Sequence, residues 1–260
     1  MIELIKGFAQ WIRLKLGLSV ASRITALDKI KLMKREDFDQ YKKSSDDIYN
    51  LSDGFISTDS QEIVIPFKSF KSDVSVLVHE LTHLLANTTI LVRIDLDTSG
   101  AEVNQKTTGF ERIKSNTFSG LNEALTQMIT LDYLLWEQGI NSKNIGDIKF
   151  AYLPLCLFFE QIIKAIAKKK NMGPIGDKEL RFDLYKAYFY GDFKALEVFR
   201  EIMSPQTFKK LAKLDSKNVN HVELMLLLEE CGLDSSEYET KYESIKEGGQ
   251  TSFFEYNLSL

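Results

Sequence analysis

Residues 76–85 read Val-Leu-Val-His-Glu-Leu-Thr-His-Leu-Leu, and they constrain the fold more than any other stretch of the 260-residue chain. Apolar positions surround the polar ones at helical spacing, so the helix they form belongs in an interior. A polar group left unpaired there costs roughly 2–7 kcal/mol, so His79, Glu80 and His83 all need partners. A metal ion is the simplest one. His79 and His83 stand one helical turn apart, on one face, and their imidazoles can converge on a single ion. Glu80 lies about 100° round the helix, where it reaches a water in an open coordination position without being a ligand. The pattern is HExxH, and it uses two of the three histidines in the chain. The competing expectation is a pair of core histidines satisfied by backbone acceptors, with Glu80 turned to solvent.

A zinc site that performs chemistry has three protein ligands and an open fourth position. The extended HExxHxxGxxH pattern would need Gly at 86 and His at 89, where this chain has Ala86 and Thr89. A carboxylate is the remaining option. Glu123 stands in Gly120-Leu121-Asn122-Glu123-Ala124-Leu125-Thr126, at the first turn of a strong helix with Met128, Ile129 and Leu135 on its apolar positions.

The HExxH motif followed about forty residues later by Asn-Glu-Ala-x-Thr on a second helix resembles the gluzincins, the thermolysin-like zinc peptidases. The likeness spans roughly residues 54 to 135 and takes in Gly54-Phe55, Ile63-Val64-Ile65 and Thr108-Gly109-Phe110 as strand segments. It implies zinc held by His79, His83 and Glu123, with Glu80 as base and proton shuttle and Asn122 shaping the site. It also implies hydrolysis of a peptide or protein substrate lying extended along an edge strand at 107–113. One departure is Gln127, where such enzymes often carry an acidic residue four positions after the ligand glutamate; a neutral amide supports a histidine ligand less strongly. The residue that stabilises the tetrahedral oxyanion is commonly Tyr or His, and Tyr152, Tyr188, Tyr190 and His221 are candidates. Tyr152 is preferred because it begins the helix after the glutamate helix.

The expected fold is α+β and mainly helical: a small mixed sheet packed on the HExxH helix, followed by a helical subdomain. Residues 1–140 form the zincin-like region and residues 141–260 the helical half. Helices are expected over 26–49, from Ser72 or Asp73 to Asn87, from about 120 to Gly139, and around 150–169, 178–201, 205–213 and 220–231. Turns are expected at 50–53 and 58–60, and strands along Val92, Ile94 and Leu96 and over 107–114. In the opening helix, Ile5, Phe8, Ile12 and Leu16 make a wide apolar face. Docking on the core is the first reading of that face, and contact with a membrane surface the second.

A net charge of -4 and the lack of a long basic stripe exclude a nucleic-acid partner. Lys168-Lys169-Lys170 reads as a solvated helix end before Asn171-Met172-Gly173-Pro174. Cys156 and Cys231 read as buried free thiols, and Glu3, Lys6, Arg13 and Lys15 interrupt the opening apolar segment. No transmembrane segment and a cytoplasmic location are expected. The aromatic end, 248–260, is expected to pack on the helical half, or else to fold over the cleft. Two further functions fit the motifs: a non-catalytic protein binding a peptide or partner on a zincin scaffold, and a zinc hydrolase of non-peptide amides.

Overall fold

The computed structural model describes residues 2–19, 30–33, 37, 55–56, 63–66, 70–86, 88–95, 100–112, 115, 117–138 and 152–248, to which all structural statements refer. The fold is mainly helical, with two small three-stranded sheets. Contacts divide it into two compact units, Met1–Leu85 with Ile129–Phe150 and Ala86–Met128 with Ala151–Leu260.

In the first unit, α1 (Ile2–Trp11) continues into a π-helical turn, Ile12–Leu16, and stops at Gly17, whose φ of 68° is the left-handed conformation glycine adopts freely. The stripe Ile5, Phe8, Ile12 and Leu16 is buried, as is Trp11. Its counterpart is the latter part of α3 (Ser119–Gln138): the Phe8 ring lies 4.9 Å from Tyr133 and the Trp11 ring 6.1 Å from it. The Tyr133 hydroxyl donates to the Leu4 carbonyl at 3.0 Å. Burial, helped by the Glu137 carboxylate, holds that phenol above its ordinary pKa, so it stays a donor. The apolar face of α1 is therefore spent inside the protein rather than left for a membrane surface.

The first sheet has the order β1-β3-β2 and is mixed. β1 (Ile30–Met33) runs parallel to β3 (Ile63–Pro66), with Ile30 opposite Ile63, and β2 (Phe55–Ile56) runs antiparallel to β3, with Phe55 opposite Val64. The expected helix over 26–49 is thus wrong at Ile30–Met33. Four residues are too few for local periodicity to separate strand from helix, and a partner strand far along the chain decides. Other residues of 26–49 except Asp37, and the turns at 50–53 and 58–60, lie outside the described residues. α2 (Phe70–Leu85) begins before the expected Ser72 or Asp73 cap and runs close to β3 and β2; Asn87 lies outside the described residues.

The second unit opens with the sheet β4-β5-β6. β4 (Thr88–Asp95) pairs antiparallel with β5 (Gly100–Thr108) along its whole length, with an irregularity between Thr89 and Ile90. β6 (Glu111–Arg112) folds back on Thr107 and Thr108. The single strand expected over 107–114 is therefore broken by a turn at Gly109-Phe110, where Gly109 has a φ of 53°. Leu96 and residues 113–114 lie outside the described residues.

The helices of this unit gather round α4 (Leu153–Lys169), which is apolar on nearly every side and accordingly buried, from Leu155 through Phe158, Phe159 and Ile162 to Ile166. Against it lie α5 (Gly176–Tyr190), a 3₁₀ helix (Phe193–Glu201), α7 (His221–Glu230) and α8 (Ser236–Gly248), with α6 (Pro205–Leu211) beside the 3₁₀ helix and α7. Lys168, Lys169 and Lys170 are the exposed helix end expected of them. The helix expected over 178–201 is two elements, because Gly191 at a φ of 66° ends α5 and the Asp192 side chain accepts from Lys194 N to start the 3₁₀ helix. Glu160, buried in α4, is paired with Arg181 of α5 at 3.4 Å and with Lys164 at 3.8 Å. Among the described residues, no helix is long and apolar enough to cross a membrane.

Candidate metal site

His79, Glu80 and His83 lie in the second half of α2, where Leu77, Val78, Leu81 and Leu85 are buried. The other polar side chain, Thr82, returns its hydroxyl to the Val78 carbonyl at 2.8 Å. Glu80 is only 9% exposed, which removes the expectation of a carboxylate turned to solvent. His79 is equally buried, and His83 is half-buried. The two imidazoles cross at 74° and bring Nε2 to within 3.2 Å of Nε2. Zinc–nitrogen bonds of 2.0–2.1 Å in a tetrahedron set two ligand nitrogens roughly 3.3–3.4 Å apart, so the observed separation fits two ligands of one ion. The same spacing also fits one proton shared between neutral rings.

Glu123 lies in the second turn of α3 and is half-buried. The start of this helix is held from several sides. Phe118 N donates to Ala212 O at 2.7 Å and Gly120 N to Leu214 O at 2.9 Å, while the Ser119 hydroxyl accepts from Ser216 N at 3.3 Å. Phe118, just before the helix, has a φ of 67°, a conformation costing a residue with a Cβ of order 1–3 kcal/mol. Its ring, 5.9 Å from Phe208 and 6.3 Å from Phe193, and its short backbone bond keep it there.

The ligand atoms offered by His79, His83 and Glu123 all lie within 4.8 Å of one another. Among the described residues this is the group of metal-binding side chains that geometry gathers. Two imidazole nitrogens and a carboxylate oxygen suit zinc, which accepts both donor types in sites that do chemistry. No protein-family model, curated protein or solved structure matches the chain.

Tyr152 stands at the N-terminal end of α4, half-buried, with its carbonyl accepting from Cys156 N at 3.0 Å. Tyr188 is fully buried, and its hydroxyl is engaged with Thr126 Oγ1 at 2.8 Å, which gives it a structural partner in place of the oxyanion role. Tyr190, at the end of α5, is 62% exposed. His221 stacks on Tyr242 with ring centres 4.8 Å apart and planes 10° from parallel, a packing role at the start of α7. Gln127 is buried in α3. Cys156 is buried with Sγ 3.7 Å from the Ala124 carbonyl, whereas Cys231 is half-buried at the end of α7 rather than fully buried. The pairing of Thr126 with Tyr188 left no mark in the local sequence pattern, because the partners are 62 residues apart.

Proposed function

We propose that the chain is a zinc-dependent metallopeptidase of the gluzincin type, with His79, His83 and Glu123 as ligands and Glu80 as the base. The observation that carries this reading is the 3.2 Å approach of two Nε2 atoms on an HExxH helix whose glutamate is buried beside them. In this reading the β1-β3-β2 sheet is the layer behind the metal helix.

When bound, zinc would supply Lewis acidity, polarising the scissile carbonyl and lowering the pKa of a water toward 7. Glu80 then takes a proton from water as its oxygen joins the carbonyl carbon. The C–N bond breaks when Glu80 returns that proton to the departing amine, leaving a carboxylic acid and a free amine. Tyr152 is the proposed donor to the oxyanion. A purely structural metal site would gain nothing from Glu80, which favours catalysis over a binding role.

Metal content by mass spectrometry tests the ligand set. Wild type should carry close to one zinc, and His83→Ala and Glu123→Ala should each lose it under metal-limited conditions. Glu80→Gln should keep the zinc and lose peptide cleavage. Protein without zinc even after its addition would overturn the reading, and cleavage of small amides but no peptides would replace it with a hydrolase of non-peptide amides.

A further inference from the structure

We propose that Tyr188 is a positioning residue for the Glu123 carboxylate, acting through Thr126 on the turn of α3 that carries it. The inference rests on the metallopeptidase reading above. Thr126 Oγ1 donates to the Asn122 carbonyl at 2.8 Å. Its one hydrogen is thereby used, so the Tyr188 hydroxyl, 2.8 Å away, donates to the Thr126 oxygen. At the other end of the turn, Asn122 Oδ1 accepts from Phe110 N at 3.1 Å. Tyr188 and Thr126 have no exposed surface and Asn122 has 1%.

Glu123 sits between the two held residues. Asn122 ties the helix to the β5–β6 turn, and Thr126 ties it to α5. The ties are themselves joined, because Gly109 lies against both the Tyr188 ring and Asn122 Oδ1, and the Phe110 ring meets Tyr188 edge to face at 6.0 Å and 78°. Any slide or rotation of the turn that moves the Glu123 backbone must break a buried hydrogen bond. Water cannot replace such a bond cheaply. The carboxylate thus starts from a fixed backbone, as a metal ligand supported by its surroundings does.

The test is a double-mutant cycle read by metal affinity. Zinc dissociation constants are measured by competition with a chromophoric chelator for wild type, Tyr188→Phe, Glu123→Ala and the double variant, together with the thermal midpoint of each metal-free protein. Tyr188→Phe should weaken zinc binding about 10-fold, the low end of the range for residues that support ligands, and Thr126→Val should do the same. In the Glu123→Ala background Tyr188→Phe should leave the affinity unchanged, since the group it positions is gone. A lower metal-free midpoint with unchanged affinity, or an equal loss in both backgrounds, would mean that Tyr188 only packs. Should Tyr188→Phe fail to fold, Thr126→Val completes the same cycle. Wild type that binds no zinc sinks the metallopeptidase reading and this proposal with it, whereas zinc-binding wild type with an unaffected Tyr188→Phe sinks the positioning role alone.

Discussion

Replacing Gly109 with alanine should cost more than the conformational penalty of its turn. A φ of 53° puts the new Cβ in the left-handed region, at about 1–2 kcal/mol. That Cβ would lie 2.5 Å from Tyr188 Cε2 and 2.6 Å from Asn122 Oδ1, closer than real Cβ contacts come. Neither neighbour is a loose end: the ring is fully buried with its hydroxyl bonded to Thr126, and Oδ1 is bonded to Phe110 N. Overpacking of this kind adds about 1–3 kcal/mol, for about 2–5 kcal/mol together. At roughly 2–4 °C per kcal/mol the thermal midpoint should fall by about 4–20 °C. Gly232→Ala is the matched control, since Gly232 has a φ of 72° and nothing within 4 Å of its added Cβ. It should show the conformational part alone, about 1–2 kcal/mol by urea unfolding. Equal losses in the two variants would refute the tight packing of the β5–β6 turn against Asn122 and Tyr188.

Phe8→Ala, which empties a fully buried site against Tyr133, should destabilise the protein by about 3–5 kcal/mol in urea unfolding, whereas Leu14→Ala, 62% exposed, should stay within about 0.5 kcal/mol. Burial, and then the Glu230 carboxylate, push the Cys231 thiol up to about 11, so at pH 8 only about 0.1% is thiolate and a disulfide reagent should label it far more slowly than free cysteine. Labelling at the free-cysteine rate would show the thiol to be unprotected. The hydrogen bond from Lys241, and then one from Gln161, hold the Glu237 carboxyl below its ordinary 4.5. Its stabilising effect is therefore complete above 4.5 and is lost as the pH falls through the lower folded value. Thermal midpoints across the acid limb should decline less steeply for Glu237→Gln, and an identical decline would remove Glu237 from the account.

The grouping of His79, His83 and Glu123 was easier to read in the sequence than the sheets. His79, Glu80 and His83 announce themselves because helical spacing turns a five-residue pattern into geometry, and Glu123 because its helix is long and strongly apolar. β5 was mostly missed: Gly-Ala-Glu-Val-Asn-Gln-Lys-Thr-Thr has no alternation of apolar and polar residues, and the strand is defined by its pairing with β4. The break between α5 and the 3₁₀ helix was legible, since Gly191-Asp192 is a stop followed by a cap, yet the periodicity on either side masked it. α8 carries a similar signal. Asp234, its carboxyl pKa lowered by the backbone N–H of Ser236, opens a helix so charged that Tyr238 is the one buried residue over 236–244, and hydrophobic spacing does not reveal it. The clamp on the start of α3 by Ala212, Leu214 and Tyr188 joins residues remote in sequence, beyond the reach of any local pattern.

The hydrogen bond from Tyr133 to the Leu4 carbonyl spans 129 residues, and that distance matters during synthesis. At about 5–20 residues per second, some 6–26 s separate the appearance of the opening helix from that of its aromatic partner. For that interval Phe8 and Trp11 have no Tyr133 to pack against. A growing chain in this state offers a sticky amphipathic segment to chaperones or to other nascent chains, so its yield on expression should respond to translation speed and to holdase supply more than its final stability suggests.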